Sequence, residues 1–362
     1  MHEAVTFDGV VGLVVSGGRA EVLAPLVSRG SPRGVPSWLE VVASVWAELY
    51  IRKVLRRFAM SDSHPVSTPV DHSIHLNPAN ENNWMNASLY QQAVGSIMYA
   101  AIGTRPDLAF AIQTLSQFNH DPSTEHWAAI KRVLWYLNGT LDLGITYDGA
   151  STNNPISVEG YSDSDWASNH INCCSISGYT FLMCGSTISW SSKKQLTVAL
   201  SSMEGEYMAI THAWKQLKWH RDFWNTLGFP QITPSIIRID NRAAILLANN
   251  PEHHNWSKHI DMHYHRIWDE ITAGTVDLIW CPTDKEVADI FTKPLPPVKF
   301  IKFRAELGMH MHWGGVLESS VSLWNPNDAA DSVAQPLSLA TEFPSHCLCS
   351  SGGLLLLSIH VQ

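Results

Sequence analysis

The chain has 362 residues, of which 45% are hydrophobic, enough to bury a sizeable core; a chain disordered throughout is excluded. Only 16% are charged and the formal net charge is −9, which excludes a generally basic nucleic-acid coat, so any nucleic acid must meet a local patch. Six cysteines without a CxxC pair fit a reduced, intracellular compartment, and neither a signal peptide nor a run long enough to span a bilayer is expected.

Residues 1–47 show no sustained pattern, with a Gly- and Val-rich start and a Pro-broken stretch from Gly30 to Pro36. Leu49–Met60 (LYIRKVLRRFAM) has apolar residues at helical spacing among four basic ones. Leu89–Ile102 and Pro106–Phe118 read as helices split by Gly103-Thr104-Arg105. Asp121 as N-cap, Pro122 at the first helical position and Gly139 past the end frame a third helix, whose Trp127, Ile130, Val133, Leu134 and Leu137 recur at three and four.

From Val158 the period changes. Val158–Ser162, Tyr179–Cys184 and Thr187–Ser191 read as strands. Ser201-Ser202-Met203-Glu204 is a capping-box opening for a long helix striped by Met203, Tyr207, Ile210, Trp214 and Leu217. A strand (Ile236–Asp240), a helix (Ala243–Asn249), a His-rich helix (258–272), a strand (Val276–Trp280) and a helix (Lys285–Phe291) complete an α/β order with a mixed sheet. After Arg304 no basic residue occurs, and the remaining stretch, rich in Ser, Leu, Gly and Pro, reads as a poorly ordered appendage.

Four carboxylates stand out by position: Asp163 at the end of the first strand, Glu206 near the start of the long helix, Asp240 at the end of the fourth strand and Asp289 on the last helix. Strand ends in α/β sheets converge on ligand-binding crevices. Carboxylates meeting there repel unless a cation neutralises them, and an all-oxygen donor set suits Mg²⁺ or Mn²⁺. Two such ions about 4 Å apart form a clamp for phosphodiester cleavage. On spacing alone, a turn or cap role for each aspartate stays open. Glu204 is explained as a cap residue, and Asp165 is a second-rank candidate beyond the strand end.

The wording of the sequence is more specific. YSDSDWA (161–167), SGYTF (177–181), WSSKKQ (190–195), ALSSMEGEYMA (199–209), IDNRAAILLANNP (239–251), SKHIDMHYH (257–265) and ADIFTKPL (288–295) occur in that order. Together they closely resemble the ribonuclease H domain of copia-type LTR retrotransposon Pol polyproteins. Upstream, YIRKVLRRFAM, PVSTPVD, YQQAVGSIMYAAIGTRPDLAFAI and HWAAIKRVLWYLNGT resemble the same polyproteins between polymerase and ribonuclease H, so the resemblance covers 49–310.

The resemblance implies an α/β ribonuclease H-like mixed sheet flanked by helices and preceded by a mainly helical connection region. It implies Mg²⁺- or Mn²⁺-dependent two-metal hydrolysis of RNA in RNA–DNA hybrids. Its acidic motif positions fall on Asp163, Glu206, Asp240 and Asp289, as catalytic and metal-holding residues. The implied partners are the hybrid and the rest of a Pol polyprotein, with no membrane. The corresponding division is 1–48 unassigned, 49–85 the end of a reverse transcriptase, 86–150 the connection region, 155–295 the ribonuclease H domain and 296–362 a mostly disordered extension. The polymerase's aspartate motif is missing, which reads as a carboxy-terminal fragment without polymerase activity. Cys173-Cys174 stand where the family usually has basic residues.

Other features have blander readings. His253, His254, His259, His263 and His265 lack a cysteine pair, so zinc is disfavoured against packing or surface roles. Lys193, Lys194, Lys215, Lys218 and Arg221 read equally as a phosphate-binding strip or a solvated helix face. Trp190, Trp214, Trp219 and Trp224 read as core rather than base-stacking platforms. Two function classes follow: an active ribonuclease H, favoured by the four carboxylates, and a catalytically inactive retroelement remnant, favoured by the missing polymerase core.

Overall fold

Local caps explain where two of the helices of the first half begin. The structure, a computed structural model, describes residues 13–16, 19–25, 38–74, 76–79, 83–147, 157–166, 173–226, 230–249, 266–311 and 354–358. Strands β1 (Leu13–Ser16) and β2 (Arg19–Pro25) precede helix α1 (Trp38–Arg57), which starts well before Leu49 and buries Ala47, Ile51, Val54 and Leu55. Helix α2 (Ala87–Gly103) is capped by Asn86, whose Oδ1 accepts from the Leu89 N–H at 3.1 Å. A 3₁₀ turn (Pro106–Leu108) leads into α3 (Ala109–Ser116).

Helix α4 (Thr124–Asn138) corrects the expected cap, which is Ser123 and not Asp121. Ser123 Oγ accepts from the His126 N–H, and His126 Nδ1 accepts from the Ser123 N–H at 2.8 Å, a capping box closed by histidine. Arg105, fully buried, donates to both carboxylate oxygens of Asp107 and to Thr140, while the Tyr136 hydroxyl donates to Asp107 at 2.5 Å. A buried ion pair is tolerable only when hydrogen-bonded this fully, and this one ties α4 to the turn before α3.

After β3 (Leu143–Ile145) come β4 (Glu159–Asp165), β5 (Ile176–Met183) and β6 (Ser186–Lys194) as an antiparallel meander. The β5–β6 turn has positive φ at Cys184 and Gly185, as a two-residue type I′ hairpin requires. Helix α5 (Ser202–Thr226) crosses over to β7 (Ser235–Ile239), and α6 (Arg242–Asn249) and α7 (Arg266–Thr272) cross over to β8 (Val276–Trp280). The strand order is β6-β5-β4-β7-β8, with β4–β7 and β7–β8 parallel. This is the ribonuclease H-like mixed sheet that the resemblance implies.

Further boundaries differ from the reading of the sequence. Strand β4 continues to Asp165, so Asp163 lies inside it and Asp165 ends it, because pairing with β5 persists through Asp165↔Ile176. The last helix before Pro294 is two 3₁₀ turns, Thr283–Lys285 and Val287–Phe291, broken where Glu286 adopts extended backbone. The stretch after 296, expected as mostly disordered, holds helix α8 (Pro297–Glu306) and strand β9 (Met309–Met311), which pairs with β3. Strand β10 (Leu354–Ser358) pairs with β2, so both chain ends carry strands where no pattern was read. Residues 312–353 of the expected extension lie outside the described residues, as do the five histidines of the 253–265 stretch. No helix among the described residues is long and apolar enough to cross a membrane.

Two apolar cores result. One joins Phe181, Tyr207, Ile210, Leu217, Ile237 and Leu247 between the sheet and α5 and α6. The other joins connection-region residues such as Ile97, Leu108 and Leu134 to Trp190, Ile290, Phe291 and Phe303. Trp190 Nε1 also donates to the Ala101 carbonyl at 3.0 Å, as a packing residue would. Gly308 has φ +77°, and a Cβ there would meet the Ser186 side chain at 1.9 Å and its Cα at 2.8 Å. Gly308→Ala should therefore destabilise the fold by about 2–4 kcal/mol, from strain plus a clash with backbone. Chemical denaturation is the measurement; an unchanged midpoint would mean that 307–311 does not belong to the fold.

Candidate active site

Each acidic side chain is delivered by a different element. Asp163 sits on β4 opposite Gly178 of β5. A Cβ at Gly178 would meet Thr292 Cγ2 at 2.7 Å, Phe291 Cβ at 2.8 Å and the Ala288 carbonyl at 3.2 Å. Glycine there lets the Val287–Phe291 turn lie against the sheet and bring the Thr292 hydroxyl to Asp163, to which it donates. Glu206 lies one turn into α5, whose start is fixed by Ser201 and Glu204. Ser201 Oγ accepts from the Glu204 N–H, and Glu204 Oε2 accepts from the Leu200 N–H at 2.8 Å. Asp240 follows β7 immediately and accepts from the Thr283 hydroxyl at 2.8 Å, while Asn241 Oδ1 caps α6.

Asp163, Glu206 and Asp240 each offer a carboxylate oxygen within 4.8 Å of the others. Asp163 and Glu206 are buried and Asp240 is half-buried. Glu206 Oε2 is buried and finds no hydrogen-bond partner among the described residues. An orphaned buried carboxylate oxygen beside two further carboxylates, with no thiolate or imidazole in the group, fits a hard divalent cation such as Mg²⁺ or Mn²⁺. Burial pushes Asp163 up to about 7; Lys293 and the Thr292 hydrogen bond oppose this, and Asp289 and Asp240 add to it. Burial, then Asp163, Asp240 and Glu286, hold Glu206 well above the usual carboxylate range, against the pull of Lys293.

Asp289 is fully buried but stands outside this group of three. Lys299 Nζ donates to its Oδ2, while Lys293 Nζ lies 2.6 Å from its Oδ1 as an ion pair without hydrogen-bond geometry. Burial disfavours the charge of Lys293, yet Asp163 and Asp289 outweigh it and raise its pKa. Sequence reasoning missed Glu286, which is fully buried and accepts from Cys281 Sγ at 2.9 Å and from the Ala288 N–H. Burial, with Asp163 and Asp240, raises its pKa well above the usual range. Its only signal was the spacing Glu-x-x-Asp to Asp289. Thr292 and Lys293 were visible as part of ADIFTKPL, without an assigned role. Asp165 is half-buried at the strand end and outside the group of three.

The expected basic strip divides. Arg221 donates to the Gln231 and Thr233 carbonyls and to Ser235, Lys194 donates to Gln117, and Lys218 pairs with Glu270. Lys193 and Lys215 remain without an ion pair among the described residues, and both lie close enough to His212 to help burial hold it down to about 4.

No family model matches the chain. It is 38% identical over 269 residues to the retrovirus-related Pol polyprotein from transposon TNT 1-94 of Nicotiana tabacum, covering 73% of this chain and 20% of that protein. It is 37% identical over 260 residues to the Pol polyprotein from transposon RE2 of Arabidopsis thaliana, covering 72% of this chain and 18% of that protein. The chain belongs to the copia-type retrotransposon Pol polyproteins. It spans about a fifth of the length of these curated relatives. Among solved structures, LC11-RNase H1, isolated from compost by a metagenomic approach, overlaps at 16% identity with a TM-score of 0.26, covering 38% of this chain and 92% of that one. The ribonuclease H-like reading of this Pol-family chain rests on strand order and register.

The raised pKa of Asp163 sets a pH dependence. An acid whose folded pKa exceeds its unfolded value adds stability below the unfolded pKa, near 4, and loses it as pH rises through about 7. In EDTA, the melting temperature should fall between pH 4 and 7, and Asp163→Asn should flatten that fall by an amount worth a few kcal/mol. Parallel melting curves for wild type and Asp163→Asn across that range would remove the basis for the buried-carboxylate reading.

Proposed function

We propose that this chain is a divalent-metal-dependent ribonuclease H that hydrolyses the RNA strand of RNA–DNA hybrids during reverse transcription of a copia-type element. The observation that carries this is the convergence of Asp163, Glu206 and Asp240 from a strand, a helix and a strand end, with Glu206 Oε2 left unsatisfied. Membership in the Pol family supports the same reading. Asp163, Glu206 and Asp240 would hold the metal, and Asp289 joins them only through Lys293. A bound divalent ion supplies an activated water at neutral pH and neutralises developing phosphoryl charge. The protein's own part is orientation: Thr292 fixes Asp163, Thr283 fixes Asp240, and the Glu204 cap fixes the turn that carries Glu206.

Arg242 stacks on the half-exposed Trp280 at 4.0 Å from the ring centroid, and the Trp280 indole donates to the Asp240 carbonyl. That places a guanidinium at the rim of the acidic cluster, suited to a substrate phosphate. Lys193 and Lys215 would meet the backbone farther off. The rest of a Pol polyprotein is the implied partner, the setting is intracellular, and no polymerase activity is proposed.

Purified chain should cut a labelled RNA–DNA hybrid with Mg²⁺ and not in EDTA. Asp240→Asn should fold normally, since it relieves repulsion, and should lose activity by orders of magnitude. Glu204→Gln should retain cleavage and change stability by about 1 kcal/mol or less. Loss of cleavage in Glu204→Gln with retention in Glu206→Gln would reverse the assignment of the helix glutamate. No cleavage by wild type, with metal binding intact, would favour the inactive-remnant reading.

Hybrid affinity offers a separate check. Lys193→Ala with Lys215→Ala should weaken binding without sequence preference and lower the slope of log K against log salt by about 2. An unchanged slope would make these lysines an ordinary solvated face.

A further inference from the structure

Lys293 Nζ lies 2.6 Å from Asp289 Oδ1 and 3.5 Å from Asp163 Oδ2. Lys299 Nζ occupies the other oxygen of Asp289 and also reaches the Thr283 carbonyl at 3.2 Å. Asp289 is fully buried and Asp163 almost so, which leaves water little access to either. We propose that the Lys293 ammonium is a built-in cation standing between Asp163 and Asp289 in place of a second metal, so that the site takes one divalent ion, on Asp163, Glu206 and Asp240. This rests on the reading above that these three carboxylates hold metal, which the unsatisfied Glu206 Oε2 supports independently of Lys293.

The reason is steric and electrostatic together. A Mg²⁺ shared by Asp163 and Asp289 needs their oxygens at about 2.0–2.1 Å and tolerates little distortion. The ammonium already fills the space between those oxygens. A divalent ion there would face Lys293 at close range beside two buried carboxylates, and like charges so close repel. The side chain of Lys293 is 31% exposed, but the backbone that carries it is fixed. Its N–H donates to the Asp289 carbonyl at 3.2 Å, Pro294 follows it, and Thr292 before it is bonded to Asp163 and packed over Gly178. Asp289 becomes a positioning residue in this arrangement: it holds the lysine, and the lysine supplies the positive charge.

The test is to titrate Mn²⁺ into the full chain and follow the free-ion signal by electron paramagnetic resonance. Only equivalents that disappear in Asp163→Asn are counted. Wild type should bind a single such equivalent, Lys293→Arg should also bind one, and Lys293→Met should bind two, because Asp163 and Asp289 are then free to share an ion. Circular dichroism reports whether Lys293→Met folds without metal. If it does not, Mn²⁺ should restore its helical signal, since the ion then replaces the missing charge; failure to restore it would count against the proposal. Two Asp163-dependent equivalents in wild type would overturn the built-in cation while leaving the metal reading standing, as would a single equivalent in folded Lys293→Met. No Asp163-dependent equivalent in wild type would overturn both.

Discussion

Negative charge packed where water is scarce is the condition to which the rest of the site answers. Asp163, Glu206 and Asp240 bring carboxylate oxygens within 4.8 Å of one another, and buried Asp289 and Glu286 press on the same region. Left alone, such a group would spread apart or take up protons. It is held by its supports. Sheet pairing fixes Asp163, a helix cap fixes the approach of Glu206, and the segment from the turn after β8 into α8 carries both the threonine that anchors Asp240 and the lysines that neutralise Asp289. Much of the chemistry of 283–299 thus serves one electrostatic balance.

That segment is not seated on the core that carries the other carboxylates. Val287, Ile290 and Phe291 pack with Ile97, Leu108 and Leu134 of the connection helices, whereas Tyr207 and Ile239, the neighbours of Glu206 and Asp240, belong to the core under α5. The site therefore lies at the meeting of two cores. The helical region before the sheet acts as a wall of the site and is more than a spacer. Trp190, bonded to Ala101, and Lys194, bonded to Gln117, pin β6 to the same wall.

Local patterns were the legible part of the sequence. The Ser201 to Glu204 cap is written in four residues; Ser201 Oγ accepts from the Glu204 N–H as expected, while the glutamate reaches back to the Leu200 N–H instead of that of Ser201. The strand runs of β4 to β6 and the Val276–Trp280 run are equally local. The Ser123 cap was illegible because its partner is histidine instead of glutamate or glutamine. The β3–β9 pairing was illegible because strand partners so far apart leave no periodic trace, so residues 297–311 read as an appendage. Among site residues, type and order marked Asp163, Glu206 and Asp240, and nothing in their spacing revealed that Asp289 is bound by two lysines. Glu286 went unseen because a glutamate opening a 3₁₀ turn looks like an ordinary cap, and only burial distinguishes it.

The β3–β9 pairing also ties the acidic centre to a contact between segments far apart in the chain. Leu143 meets Met311, and Gly308 beside β9 rests on Ser186, so the segment carrying Thr292, Lys293 and Lys299 is clamped from its far end by strands made much earlier. During synthesis the sheet and α5 can collapse while that segment is still inside the ribosome. In that interval Asp163 and Glu206 would face each other without their neutralising lysines, and the nascent domain would remain loose on that side. Closure of so distant a contact is slow compared with local helix formation. The acidic centre thus depends on a long-range closure that local helix formation cannot supply.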